Sequence, residues 1–292
     1  MPAAKVSTAS RAGRNLPAAI VVGLGLLILV LGGLLLYPVA FVVIVSAFAV
    51  VGVWEVSRAL LQRHIAVPLV PVMIGTIAMP AAAYFSGAEG LLFGLVASAV
   101  AVLLWRSLDP AEGAIQSIFA GVFTLAWIPF MISFVFLLLR ADGPTTGITW
   151  LSRPHVGTLQ VVIILMLVVA NDTFGYLIGA FFGKHPMAPK ISPKKSWEGF
   201  GGSVGGAVLV AVPAAIFLLG QPWWIGLVLA VGLVAAATAG DLAESMVKRE
   251  LGVKDMSSIL PGHGGVMDRL DSILFAAPTA FLIFSVLAPF QT

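Results

Sequence analysis

The sequence predicts an all-α fold, a polytopic bundle of about nine transmembrane helices with its N-terminus in the cytoplasm. Three observations predict it. Of 292 residues, 60% are hydrophobic and only 10% charged, with a mean hydropathy of +1.06; a soluble domain carries about 25% charged residues. The apolar residues gather into runs near the roughly 20 residues that cross a hydrocarbon core of about 30 Å. The basic residues fall almost entirely on alternate connections between those runs. With no cysteine in the chain, disulfides, thiolate metal sites and Cys nucleophiles are excluded. A net charge of +3 gives no argument for nucleic acid, and none is expected as a partner.

In order, a polar tail over 1–15 carries Lys5, Arg11 and Arg14. The apolar run from Leu16 reaches Leu36, beyond the 7–15-residue core of a signal peptide, so it reads as an uncleaved first span, 16–36. Tyr37-Pro38 turns the chain into a second span, 39–60. The third is 67–86, and SGAEG turns it into the fourth, 90–106. RSLDPAEG leads to the fifth, 114–139. After a polar loop, 140–156, come the sixth span (157–182), a basic loop (183–199) and the seventh span (200–220). Gly220-Gln221-Pro222 then opens the eighth, 223–243, a charged loop covers 244–269, and the ninth span is 270–289. The chain divides into that tail, an N-terminal half (16–156, about five spans) and a C-terminal half (157–292, about four spans).

Orientation follows from the bias of Lys and Arg toward the cytoplasm. With the N-terminus inside, 14 basic residues lie on inside segments, and only Arg140 and Arg153 lie outside. Both charged loops of the C-terminal half then face the cytosol. A bacterial inner (plasma) membrane is the expected location.

The polar residues of that half carry the chemistry. Asp241, Glu244, Ser245 and Lys248 are spaced i, i+3, i+4, i+7, which aligns them on one helical face. Ionisable groups at membrane depth are costly and mark function; the bland alternative is a solvated helix tip. Asp268 and Asp271 share a face at the start of the ninth span. Acids there can merely answer the helix dipole, but together with Asp241 they form a hard-oxygen set suited to Mg²⁺. His263, Gly264 and Gly265 precede that helix; glycines admit a close ligand, and a helix N-terminus binds phosphate. Asp172 sits within the sixth span beside Asn171, where an interhelical hydrogen-bond pair is the bland reading. Lys194, Lys195 and Ser196 in SPKKSWEG supply phosphate-binding charge and a hydroxyl, as do Arg249, Lys254 and Arg269 around the later loop. Carboxylates for a divalent cation beside cations for several phosphates suit phosphoryl or nucleotidyl transfer. Neither GxxxxGK[ST] nor GxGxxG is present.

Ser245-x-Val247-Lys248-Arg249, then Lys254-Asp255, Ser257, Leu260-Pro261 and His263-Gly264-Gly265-Val266-x-Asp268-Arg269-Leu270-Asp271 resemble the signature of the phosphatidate cytidylyltransferase (CDP-diacylglycerol synthase) family. NDTFGYLIGAFFGK and SPKKSWEG are similar to stretches of its bacterial members. The detailed resemblance covers roughly 170–275. It implies condensation of CTP with phosphatidic acid to CDP-diacylglycerol and pyrophosphate in the bilayer, by a helical protein that is commonly a homodimer, with Mg²⁺ and an associated K⁺. It puts the metal on Asp241 and Asp268, and places Asp271, Lys248 and Ser245 at other active-site positions. A CDP-alcohol phosphotransferase is the nearest rival, but its motif opens Asp-Gly-x-x-Ala-Arg, whereas Asp241 is followed by Leu-Ala-Glu-Ser. An ion-coupled transporter would place its charges near the midplane within inverted repeats, and no repeat is evident.

Overall fold

The computed structural model describes residues 16–109, 112–141, 155–260 and 264–287. Its elements are almost all helices. They are α1 (Leu16–Leu36), α2 (Pro38–Leu61), α3 (Leu69–Ser107), α4 (Ala114–Leu125), α5 (Met131–Leu139), α6 (Val156–Phe182), α7 (Trp197–Phe217), α8 (Trp223–Leu251) and α9 (Met267–Leu287). Two short antiparallel strands, β1 (Pro186–Ala188) and β2 (Ser192–Ser196), interrupt them between α6 and α7. Among the described residues, seven helices are long and apolar enough to cross a membrane, and Val21–Leu36 is a shorter apolar one.

One of the seven, α3, has 39 residues, about 58 Å if straight and nearly twice a hydrocarbon core. It is not straight. Gly87 leaves helical geometry at φ 76°, ψ −155°, a region essentially reserved for glycine. A Cβ added at Gly75 would lie 2.5 Å from Ser98 Oγ, so the two arms fold back against each other. The expected third and fourth spans are the arms of this hairpin. Conversely, α4 and α5 form one apolar segment, Ala114–Leu139, joined through a π turn at Ala126–Phe130 that contains Pro129. Proline has no N–H to give the helical ladder, and a wider turn accommodates the gap.

Two expected loop boundaries are corrected. The segment 183–199 is a β-hairpin followed by the first turn of α7, which starts at Trp197 because Ser196 caps it, its hydroxyl accepting from Gly199 N–H at 3.1 Å. The segment expected as a loop from 244 is helical to Leu251, since LAESMVKREL contains no breaker. Gly252, at φ +75°, ends the helix, and Val253 N–H reaches back to Lys248 O at 2.9 Å. With 29 residues, α8 runs about 43 Å, so its last turns project beyond a 30 Å core and carry Glu244 through Arg249 with them.

The core lies where α2, α3, α5, α6, α8 and α9 meet, around buried Val45, Met79, Phe136, Ile164, Leu229 and Leu274. The ends of the bundle differ. One gathers the Gly87 turn, Arg140 beside it, and the start of α6, where Gly157 packs against Leu138 and Leu139. The other gathers the C-terminal ends of α2 and α8, the start of α9 and the β-hairpin.

Gly87→Ala is expected to destabilise the protein by about 1–3 kcal/mol through strain alone, with a further clash against Arg140; thermal unfolding in detergent measures it. Because the chain has no cysteine, Glu89→Cys and His185→Cys give single-thiol proteins. They should react with an impermeant maleimide from opposite faces of the membrane.

Candidate active site

At the second end of the bundle a cavity of about 290 Å³ opens between α6, α7, α8 and the β-hairpin. Asn171 and Asp172 reach it from α6, Lys194, Lys195 and Ser196 from β2, and Asp241 from α8. Tyr176, 74% exposed on α6, lies at its rim, so the opening faces outward, across the side of the bundle.

Close packing of small residues brings these walls together. A Cβ at Gly206 would stand 2.1 Å from Phe174, so α6 and α7 approach closely, as membrane helices with glycine interfaces do. Asn171 fixes the register at this level. Its buried amide donates to Asp172 Oδ1 at 2.9 Å, and its carbonyl accepts from Ser203 Oγ at 2.6 Å. Asp241 accepts from Ser245 Oγ at 3.2 Å, and its other oxygen pairs with Lys195 Nζ at 2.6 Å. Asp172, Asp241 and Asp271 are near enough for their charges to repel one another. The cavity is thus acidic on its helical walls and basic on the hairpin.

Behind it lies a second, more buried cluster. Glu244 is wholly buried, and Lys248 Nζ bridges it to Asp268, at 2.5 Å and 2.8 Å. The second oxygen of Glu244 has no hydrogen-bond partner among the described residues. Asp268 also accepts from Met256 N–H at 3.2 Å and from Gly265 N–H at 2.7 Å. Gly240, next to Asp241, lets α9 come close: a Cβ there would stand 2.4 Å from Asp271 O.

The expected site residues therefore divide. Asp172, Lys194, Lys195, Ser196 and Asp241 meet at the cavity, with Ser245 behind Asp241. Glu244, Lys248 and Asp268 form the inner cluster. Arg249 donates from Nε to Ile191 O at 3.2 Å, tying the hairpin to α8. Lys254 and Arg269 are exposed. His263 lies outside the described residues. The expected phosphate cradle at Gly264 and Gly265 needs correction. Gly264 closes a small bridge with Leu260, and the Gly265 N–H is engaged by Asp268. The next two amides, Val266 at 3.0 Å and Met267 at 2.7 Å, donate to Glu55. Carboxylates of the chain itself already occupy this helix N-terminus.

Glu55 was not anticipated. It sits on α2, 1% exposed, and also accepts from Ser257 Oγ. Eight residues on, at the end of α2, Arg63 Nε donates to Leu251 O at 3.0 Å. The signal was present: Glu55 is a lone acid in the apolar run VVGVWEVSR, and such a group needs a partner or a function.

Among the described residues no three acidic or histidine side chains stand grouped to enclose a metal. Mg²⁺ needs no such cage: it takes one or two carboxylates and completes its shell with phosphate and water. Asp241 is half-exposed in the cavity. Asp268 has three donors, which leaves one of a carboxylate's roughly four lone-pair positions free.

Comparison with known proteins agrees in direction. Residues 17–287 match the model of the "Cytidylyltransferase family". Proteins named phosphatidate cytidylyltransferase from Mycobacterium bovis and Mycobacterium leprae are 40% and 37% identical to this chain; each alignment covers 95% of it, and 91% and 90% of the relative. One of the same name from Haemophilus influenzae is 45% identical over 133 residues, 43% of this chain and 45% of its own.

The two aspartates should differ in stability. Asp268→Asn removes half of a buried ion pair and is expected to cost on the order of 2 kcal/mol or more. Asp241→Asn breaks a half-exposed pair worth at most about 1 kcal/mol. Thermal unfolding of both purified variants compares them.

Proposed function

The chain belongs to the cytidylyltransferase family, and we propose that it condenses CTP with phosphatidate to give CDP-diacylglycerol and pyrophosphate. The observation that carries this reading is the cavity in which Lys194, Lys195 and Ser196 face Asp172 and Asp241 at one end of an apolar bundle. Charge of both signs is what two polyanions and a divalent ion require. An outward-facing mouth suits a lipid that cannot leave the bilayer.

An oxygen of the lipid phosphate attacks the α-phosphorus of CTP. A new P–O bond forms as the bond to the β-phosphate breaks, and pyrophosphate leaves. A phosphomonoester has its second pKa near 6, so the nucleophile is already anionic at neutral pH and needs no protein base. When bound, Mg²⁺ supplies charge neutralisation on the triphosphate and the leaving pyrophosphate; Asp241 and Asp268 are the residues proposed to hold it. Lys194 and Lys195 meet phosphate oxygens at the hairpin wall, and Ser196 presents a hydroxyl beside them. Lys248, fixed between Glu244 and Asp268, brings a buried positive charge to the triphosphate side. Asp172 and Asp271 keep the helical wall acidic, so a cation is drawn there rather than to the hairpin.

The topology proposed is nine crossings with the N-terminus inside. Seven apolar helices, α3 folded as a hairpin and the apolar α1 support the count. Lys184, Lys190, Lys194, Lys195, Lys248, Arg249 and Lys254 lie at the cavity's end of the bundle and Arg140 at the other. The bias of basic residues to the cytoplasm supports a cavity that opens to that side, where CTP is.

Purified protein supplied with labelled CTP, phosphatidate and Mg²⁺ is expected to move cytidine label into the organic phase; a folded protein that leaves the label aqueous refutes the reading. Asp241→Asn should reduce turnover by roughly 10²-fold or more with its fold intact. Lys195→Gln should chiefly raise the KM for CTP, by about 10-fold, the worth of one charge-assisted contact.

A further inference from the structure

Glu55 lies in the half of the chain that carries no catalytic motif, yet its carboxylate is buried against the active-site loop. We infer that it is a positioning residue for the cytidylyltransferase reaction, holding the start of α9, and with it Asp268, in place against α8. The inference rests on the function proposed above.

The contacts single out Asp268 from both sides. Glu55 accepts from the amides of Val266 and Met267, the two residues just before Asp268. It also accepts from the hydroxyl of Ser257, whose chain neighbour Met256 gives its own N–H to Asp268. Gly265, the third amide donor at this helix end, packs on Glu55 so tightly that a Cβ would stand 2.8 Å from its oxygens. One buried carboxylate therefore pins both strands of backbone that flank Asp268. Arg63, in the turn two residues past the end of α2, holds Leu251 O at the end of α8. The second half of α2 and the turn that follows it thus fix both ends of the connection between α8 and α9.

An ordinary helix cap would only add stability. Here the electrostatics demand more. The start of α9 presents unsatisfied N–H groups and the positive end of a helix dipole, and both attract the nearest anion. With Glu55 in place that role is filled, and Asp268 is left to Lys248 at 2.8 Å. Without it, the nearest replacement is Asp268 itself, already bonded to Gly265 N–H. Drawn onto the amides of Val266 and Met267, Asp268 would turn away from Lys248, and the inner cluster would lose its link between α8 and α9.

The test is Glu55→Gln in the full-length protein, reconstituted in nanodiscs and assayed well below its unfolding midpoint. Gly87→Ala serves as a control destabilised far from the site. Glu55→Gln is expected to lower kcat by about 10- to 100-fold, the scale of a small misplacement of a catalytic group. The KM values for CTP and phosphatidate should change by no more than about twofold, since no substrate contact is removed. Hydrogen exchange, measured without substrate or metal, should speed up over 256–268. Gly87→Ala should lower the unfolding midpoint while leaving kcat and that exchange unchanged. A kcat for Glu55→Gln within about twofold of wild type, or a loss that Gly87→Ala reproduces, overturns the inference. Wild-type activity in the same assay separates this outcome from failure of the proposed reaction. Should Glu55→Gln not fold, Ser257→Ala removes one donor only; it is expected to lower kcat about threefold with faster exchange over the same segment, and an unchanged kcat overturns the inference equally.

Discussion

The ammonium of Lys248, held between Glu244 and Asp268, is the interaction on which the cavity end of the bundle turns. Glu244 has no exposure to solvent, and an ionised carboxylate in such a place is tolerable only when paired. Lys248 supplies the pairing, and its three N–H donors let the same ammonium also reach Asp268 on the next helix. The approach of α8 to α9 is thus set by chemistry as well as by packing. Gly240 allows the backbones to meet, and the shared ammonium fixes how they meet. Removing Lys248 would leave two carboxylates facing each other without a cation, whereas removing either acid leaves a one-to-one pair and breaks one of the two links.

The division of labour between the two clusters follows from exposure. The side chains of Asp241 and Lys195 are 31% and 26% exposed and can exchange one partner for another at small cost. Glu244, Lys248 and Asp268 cannot. The outer pair is suited to meeting and releasing charged ligands, and buried Glu244 to holding Lys248, and through it Asp268, in place while that happens. Asn171 does a comparable job on the far wall: its backbone carbonyl accepts from Ser203 and joins α6 to α7, while its side-chain amide holds Asp172.

Much of this was legible in the sequence because membrane chains write their constraints plainly. Apolar runs announced the helices, and the spacing of Asp241, Ser245 and Lys248 placed them on one face. A cluster of charges in a chain only 10% charged announced the site. What could not be read depended on distance along the chain. The hairpin within α3 was legible as two spans, but the tightness of its turn depends on Gly87 in a conformation that composition does not reveal. The start of α9 looked like a phosphate cradle because its amides should be free; the acid that takes them lies 211 residues earlier. Helical periodicity links residues a few positions apart and is silent about such partners. The extension of α8 to Leu251 was misjudged for a different reason: the charges of KRE suggested a loop, whereas a helix that leaves the membrane can carry them.

That separation bears on how the protein is made. At about 5–20 residues per second, α2 enters the membrane some tens of seconds before the amides of Val266 and Met267 exist. During that interval the Glu55 carboxylate has no permanent partner. It lies about 9 Å short of the end of its helix. When α9 arrives, the amides at its start become the partners of the acid. Membrane integration and active-site assembly are therefore separate events, and the second is complete only when the last helix docks on the second.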